Sequence, residues 1–387
     1  MAIVPAVKSA TALLAAAALG IALAAPASAQ NIRIGFHAPL TGFAASDGKS
    51  ALNGAELAVE QVNAAGGVNG RKIELVVQDD QAKADQAVPL ANKYIGEGLK
   101  LVVSGSYSGP TRAAAGVFQN AQIPYVSAYA IHPDITRAGN YVFRTSFMGE
   151  VQGRAAAKFV GDIMKKRKVT LVTLNNDFGQ SLSAGFKEVA GKFGIQIASE
   201  YTYAMGDRQF GSIVASVKRD NPEMLYVSGY FFNGGPLVAQ LRAGGVTAPI
   251  LGTEGFDTHN FIKIAGQAAE GVMITTSLDR DSKSPEMRKF IDDYEKKFNT
   301  PADMVAASTH TAIKVAANAL AKAGADDPAK IRAAIAATKD FQVATGRISF
   351  NELGEIYKAA QIQVIKDGKF RHQATIDDPQ LLAPPTK

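Results

Sequence analysis

Short runs of consecutive apolar residues alternate with stretches in which apolar residues recur every three or four positions, almost from end to end of the chain. The first pattern predicts buried strands and the second amphipathic helices. Ile32-Arg33-Ile34-Gly35-Phe36 predicts a strand. A helix follows over 51–65, with Ala55, Ala58, Val59 and Val62 on one face. Gly66-Gly67 stops it, because glycine takes up the left-handed cap conformation without a Cβ clash. Strands are then predicted over 73–77 and 101–103 and from Ile123 onward, with helices over 84–95 and 111–121. The rhythm restarts after Arg144: helix 151–166, strand 169–174, helix 182–193, strand 195–198 and helix 210–219. Strands 225–227 and 249–251 flank a helix over 236–243.

Repeated strand-helix-strand units require parallel pairing, because a helical crossover returns the chain to the same edge of the sheet. Two such blocks imply an α/β protein of two doubly wound lobes, whose binding crevices lie at the carboxyl ends of the strands. The last third breaks the rhythm. It predicts helices over 285–298, 305–323 and 328–337, then short strands around Ile348 and over 362–365. Asp367-Gly368 within Lys366-Asp367-Gly368-Lys369 is a hairpin signal. This piece is too small and too helical to stand alone, so it is expected to complete both lobes.

The amino terminus carries a different pattern. Lys8 is the only charge before the apolar stretch 10–25, and Ala27-Ser28-Ala29 is a small-x-small cleavage site. This predicts a signal peptide over 1–29, cut after Ala29, and a soluble exported protein beginning at Gln30. No cysteine follows, so lipid attachment there is excluded. Of the 387 residues 47% are hydrophobic, enough for two packed cores. With no cysteine, an exported chain must be stable from packing alone, which large α/β domains manage. The formal charge of +6 is scattered apart from Lys165-Lys166-Arg167-Lys168, which fits a helix C-terminus and gives no footprint for nucleic acid.

No catalytic constellation emerges. His37, His132, His259, His310 and His372 are dispersed and none has metal-ligand spacing, so each is expected to be a polar surface or hinge residue. Gly105-Ser106-Tyr107-Ser108-Gly109 has a superficial likeness to a nucleophile elbow but lacks the spacing and a partnered histidine. Gly66-Gly67-Val68-Asn69-Gly70 follows a helix, so it is no nucleotide loop. Asp80 is expected to cap the following helix rather than bind metal. Neither a cofactor nor a metal is expected.

Two places point to a ligand. Residues 103–111 read as a strand end, a loop of small residues and a helix start with Pro110 in its first turn. Ser108 there stands beside free backbone N–H groups and the positive end of a helix dipole, a setting for a carboxylate; capping of the helix by Ser108 fits equally well. Tyr230 and Glu254 follow neighbouring strands in the second block at their carboxyl ends, where a phenol and a carboxylate could hold an ammonium group. Taken singly, a loop glutamate is ordinary solvated surface.

Ile34-Gly35-Phe36-His37-Ala38-Pro39-Leu40-Thr41-Gly42, Asn53-Gly54-Ala55-Glu56-Leu57-Ala58, Asn63-Ala64-Ala65-Gly66-Gly67 and Asn69-Gly70-Arg71 form a long ordered set of motifs. Together with Asn175-Asn176-Asp177-Phe178-Gly179, Gly229-Tyr230, Thr253-Glu254-Gly255 and Ala269-Glu270-Gly271-Val272, it resembles the leucine/isoleucine/valine-binding proteins, the type I periplasmic receptors of ABC-type amino-acid importers. The resemblance spans the mature chain. It implies two Rossmann-like lobes, 30–147 with 277–355 and 148–276 with 356–387, joined by a three-crossover hinge and closing on a ligand.

By the same resemblance, Ser108 would hold the ligand carboxylate with help from backbone groups at Tyr129, and Tyr230 with Glu254 would hold the ammonium group. Tyr107 and Phe178 would line the side-chain pocket. Two positions depart from the family pattern: Ile131 stands where a threonine contacts the ligand's polar end, and Asp47 where an aromatic residue is common. The implied function is a non-enzymatic, monomeric receptor for a hydrophobic or branched-chain amino acid, partnered by an inner-membrane ABC permease. Alternatives are a receptor for an aromatic or other small carboxylic acid, favoured by Tyr107, Phe178 and Ile131 but disfavoured by Glu254, and a sensory module serving a signalling receptor.

Overall fold

The computed structural model describes residues 1–3 and 30–385. The apolar leader and the expected cleavage point after Ala29 lie outside them. Two sheets organise the described residues. The first contains β1 (Ile32–Ala38), β2 (Ile73–Asp79), β3 (Val102–Ser104), β4 (Tyr125–Ser127) and β5 (Val142–Arg144), all parallel, in the order β2-β1-β3-β4-β5. Strands β3, β4 and β5 are buried along their whole length, so they show no alternation of inward apolar and outward polar residues.

The second sheet repeats the plan with β6 (Lys168–Leu174), β7 (Gln196–Tyr203), β8 (Met224–Val227), β9 (Ile250–Gly252) and β10 (Met273–Thr276), ordered β7-β6-β8-β9-β10. A small antiparallel ribbon of β11 (Phe341–Val343) and β12 (Gly346–Ile348) stands apart. Then β13 (Ala360–Lys366) adds antiparallel to β10, and β14 (Lys369–Ile376) pairs with β13. Asp367 and Gly368, at φ 52° and 69°, make the two-residue turn between them. In both sheets the strand order reverses beside the first strand, so each has its crevice at the carboxyl ends of the strands.

The chain passes between the sheets three times: after β5, after β10, and between Ile356 and β13. After the second passage, helix Met304–Ala323 packs along helix Ala45–Ala64 of the first sheet. Gly54 permits that closeness, since a Cβ there would lie 2.3 Å from the Ala306 carbonyl oxygen. Lys358, buried on the third passage, donates to the Thr345 hydroxyl at 2.8 Å and to the Thr145 carbonyl at 3.4 Å, tying this passage to the first.

Several boundaries differ from the sequence reading. The helix expected over 111–121 spans Ser108–Asn120, and the one expected over 236–243 spans Phe231–Ala243, with Pro236 inside it. Both start right after a strand, where packing on the sheet overrides local propensity. The helix from Gly149 ends at Lys158 and widens into a π turn over Phe159–Ile163. Strands β5 and β10 and helix His259–Ala265 were not expected. Asp80 caps no helix; its carboxylate lies 2.6 Å from His37 Nδ1, while His37 Nε2 lies 2.7 Å from the Tyr125 hydroxyl. His37 and His310 are therefore core residues, not surface or hinge ones.

Helices Gly149–Lys158 and Asp177–Ala190 approach backbone to backbone. A Cβ on Gly185 would fall 2.1 Å from the Glu150 carbonyl oxygen, and one on Gly153 2.2 Å from that of Leu182. Gly185→Val should therefore force the helices apart and destabilise the protein by about 1–3 kcal/mol. Urea unfolding checks this; an unchanged midpoint would contradict the close approach.

Candidate functional site

The carboxyl ends of the two sheets face each other across one narrow cavity. From the first sheet come Asp47, Tyr107, Ser108, Tyr129 and Ala130; from the second come Phe178, Tyr230, Glu254, Gly255, Asp257 and Thr258; Met304 and Val305 add an apolar patch. Contacts across the gap hold the two sides together. The Tyr107 and Tyr230 rings stack 4.1 Å apart at 12°, and Phe43 meets Phe232 edge-on at 5.1 Å. Arg112 Nε pairs with Asp177 at 2.9 Å, and Asn260 Nδ2 donates to Ser46 Oγ.

At one end lies Ser108, the first residue of helix Ser108–Asn120, whose hydroxyl makes no capping bond. Ser108 Oγ instead accepts from the Ile131 N–H at 3.2 Å. The first-turn N–H groups of that helix lack intrahelical acceptors by geometry, and the helix dipole adds positive potential. The hydroxyl of Tyr129 donates to the Gly105 carbonyl at 2.7 Å, which fixes the Gly105–Ser108 loop. Together these groups form a donor-rich end suited to a carboxylate.

Glu254 belongs to the second side, in the 3-10 turn Glu254–Phe256 right after β9. It is 3% exposed, and neither carboxylate oxygen has a hydrogen-bond partner among the described residues. Burial pushes its carboxyl up to about 8, with the nearby Gln152 amide and Lys358 ammonium opposing and Asp257 adding to the rise. Burial likewise pulls Lys358 down to about 7, against the pull of Glu254. Tyr230 caps helix Phe231–Ala243 through a reciprocal pair with Asn233, and its ring stacks on Phe178 at 4.6 Å. Gly255 allows the turn to sit tight, since a Cβ there would lie 2.1 Å from the Gly229 carbonyl oxygen.

The cavity wall is acidic. Asp257 is paired with Arg280 and accepts from Thr276 Oγ1 at 2.5 Å. Asp47 accepts from the Tyr107 hydroxyl at 2.7 Å, and burial pushes its carboxyl up to about 7, opposed by that bond and reinforced by Asp303 and Asp257. Behind the donor-rich end, the fully buried Arg144 holds loop 130–136. It donates to Ala130 O and His132 O at 2.8 Å each and contacts the Glu355 carboxylate at 3.0 Å.

Of the residues singled out from sequence, Asp47, Tyr107, Ser108, Tyr129, Phe178, Tyr230 and Glu254 meet around this cavity. Ile131 does not. Its side chain is buried beside Gly149, and only its backbone N–H approaches the site, at Ser108 Oγ. Sequence reading missed Asp257, Thr258, Met304 and Val305, as well as Gln152, Lys358 and the Arg144–Glu355 pair. Asp257 and Thr258, three and four residues after Glu254, were open to discovery; Met304, Val305, Lys358 and Glu355 depend on chain passages that no local pattern reveals.

A family model described as "Periplasmic binding protein" matches residues 31–369, and the chain belongs to that family. It is 33% identical to Leu/Ile/Val-binding protein homolog 3 of Brucella melitensis, over 88% of this chain and 92% of that protein. It is 31% identical to the leucine-, isoleucine-, valine-, threonine- and alanine-binding protein of Pseudomonas aeruginosa, over 85% and 88%. Among solved structures, the branched-chain amino acid transporter substrate-binding protein LivJ of Streptococcus pneumoniae, in complex with isoleucine, superposes with a TM-score of 0.84 at 28% identity. That match covers 89% of this chain and 99% of that one. The leucine-binding protein LivK of Thermotoga maritima gives 0.85 at 26% identity, over 90% and 99%.

Removing one member of a buried ion pair strands the other charge, at a cost of about 3–5 kcal/mol. Glu355→Leu should therefore lower stability by that order and loosen loop 130–136. Urea unfolding with amide exchange at Ile131, whose N–H in this loop donates to Ser108 Oγ, reads both effects. Unchanged stability and protection would contradict the role given to the pair.

Proposed function

We propose that the chain is the receptor of an ATP-driven importer, exported to the periplasm by the 1–29 leader, and that it captures a hydrophobic or branched-chain amino acid between two lobes. The lobes are 30–147 with 277–355 and 148–276 with 356–387. The observation that carries the reading is Glu254: a carboxylate enclosed at the cavity with no hydrogen-bond partner within reach of either oxygen among the described residues. An isolated buried charge is costly, and a ligand ammonium group would remove that cost.

The zwitterion's two ends have matching surroundings on opposite sides. Its carboxylate would meet Ser108 Oγ and the helix N-terminus, with backbone groups at Tyr129 beside them. Its ammonium would meet Glu254 and the Tyr230 hydroxyl. Phe178, Tyr107, Met304 and Val305 supply apolar and aromatic surface for a side chain. Because one ligand touches both lobes, it favours the closed arrangement over the open one, and this difference is what a permease can sense. The relatives named for leucine, isoleucine and valine support this ligand class. The product of the site is a bound complex, delivered as a monomer to an inner-membrane permease, not a reaction.

Loss of a buried charged partner typically costs about 2–5 kcal/mol, and each ~1.4 kcal/mol is tenfold in affinity. Glu254→Gln should thus weaken leucine or isoleucine binding about thirtyfold or more in calorimetry. An aromatic acid such as benzoate, if it bound, would be held equally or more tightly by the same variant. Ser108→Ala should weaken both kinds of ligand. Undiminished amino-acid affinity in Glu254→Gln would overturn the proposal.

A further inference from the structure

Glu254 and the Ser108 end account for both charges of an amino acid, yet the cavity wall holds a further carboxylate that they leave unanswered. Asp47 lies in the first turn of helix Ala45–Ala64, 4% exposed, and lines the cavity. Its position is fixed, since Gly48 presses the turn against Pro39: a Cβ on Gly48 would fall 2.0 Å from the Pro39 carbonyl oxygen. Among the described residues only the Tyr107 hydroxyl donates to it. Asp257, also on the wall, differs in kind because Arg280 and Thr276 already satisfy it.

Tyr107 precedes Ser108 and its hydroxyl donates to Asp47, so Asp47 sits one tyrosine side chain away from the carboxylate end, apart from the groups assigned to the ligand's head. We propose that Asp47, aimed by Tyr107, selects ligands whose side-chain tip carries a hydrogen-bond donor, such as an amide, hydroxyl or ammonium, over purely aliphatic ones of similar size. The inference rests on the amino-acid reading above for the ligand's head group and replaces its hydrophobic or branched-chain side chain with one that carries a donor. Sealing an aliphatic tip against Asp47 leaves a carboxylate with a single donor in an apolar enclosure, and a polar group buried without its partners is penalised. A site built to hydrogen-bond a ligand group discriminates strongly against the analogue that lacks it.

The state of Asp47 gives the inference a signature. Its carboxyl is held up to about 7, first by burial, with Asp303 and Asp257 adding to the rise and the Tyr107 bond opposing; Arg280 faces Asp257 rather than Asp47. An aliphatic ligand requires Asp47 protonated, whereas a donor-bearing one is met best by the ionised form. The ratio of the two affinities therefore grows as pH rises through 7. The ammonium contact to Glu254 is common to both ligands and cancels in the ratio.

The test is calorimetry on the mature chain with leucine, isoleucine, threonine, glutamine and ornithine at pH 6.0 and 8.5, in wild type, Asp47→Asn and Asp47→Leu. The expected result is that the best donor-bearing amino acid binds at least tenfold tighter than leucine at pH 8.5. This margin should shrink at pH 6.0, and it should vanish or reverse in Asp47→Leu. Asp47→Asn, which keeps the shape and loses the charge, should remove the pH dependence of the ratio. Thermal melts should show both variants at least as stable as wild type at pH 8.5, since each removes a carboxylate that burial disfavours. Leucine binding as tightly as every donor-bearing ligand, or a ranking unmoved by Asp47→Leu, would overturn the inference while leaving the amino-acid reading intact. Binding of benzoate but of no amino acid would overturn both.

Discussion

The whole arrangement turns on a carboxylate that the protein encloses without satisfying. Glu254 is almost completely buried and neither oxygen finds a donor among the described residues, so burial drives it toward its neutral form. A side chain of this kind in a core would be a defect. Between the two sheets, at the cavity, it suits the ligand ammonium proposed above. The Lys358 ammonium, which opposes that drive, is committed to Thr345 and Thr145 on the passages between the sheets and is itself depressed by burial.

The fold supplies the rigidity that such a demand needs. Ser108, Tyr230 and Glu254 each leave the carboxyl end of a buried strand within four residues, and such short lengths of chain leave little freedom for drift. Gly48 and Gly255 permit backbone contacts that no larger residue would allow, which fixes Asp47 and Glu254 in place. Arg144 reaches two carbonyls and one carboxylate to hold loop 130–136 behind the donor-rich end.

Much of this was legible in the sequence because it is local. A residue right after an apolar strand lies at the sheet's carboxyl edge, and that placed Ser108, Tyr230 and Glu254 on the crevice before any coordinates. Ile131 shows where such reasoning stops: it lies in the correct loop, but its side chain packs toward Gly149, 18 residues on, instead of lining the cavity. His37 was misread because its partners Asp80 and Tyr125 are 43 and 88 residues away. Met304, Val305, Lys358 and Glu355 reach the site only through the second and third passages, where the strand-helix rhythm has already lapsed. The same long-range packing moved the helix starts at Ser108 and Phe231 ahead of their apparent sequence boundaries.

If Glu254 is the waiting partner of an ammonium group, binding must change its protonation. Held up to about 8 by burial, it is largely protonated at pH 7, and an ammonium beside it favours the carboxylate. The resulting ion pair presents no net charge to Lys358, whose own state is then unaltered. Calorimetric titration with isoleucine at pH 7, in buffers of different ionisation enthalpy, measures this directly. The account predicts release of up to about one proton per ligand more in the wild type than in Glu254→Gln. Equal proton exchange in the two proteins would contradict it.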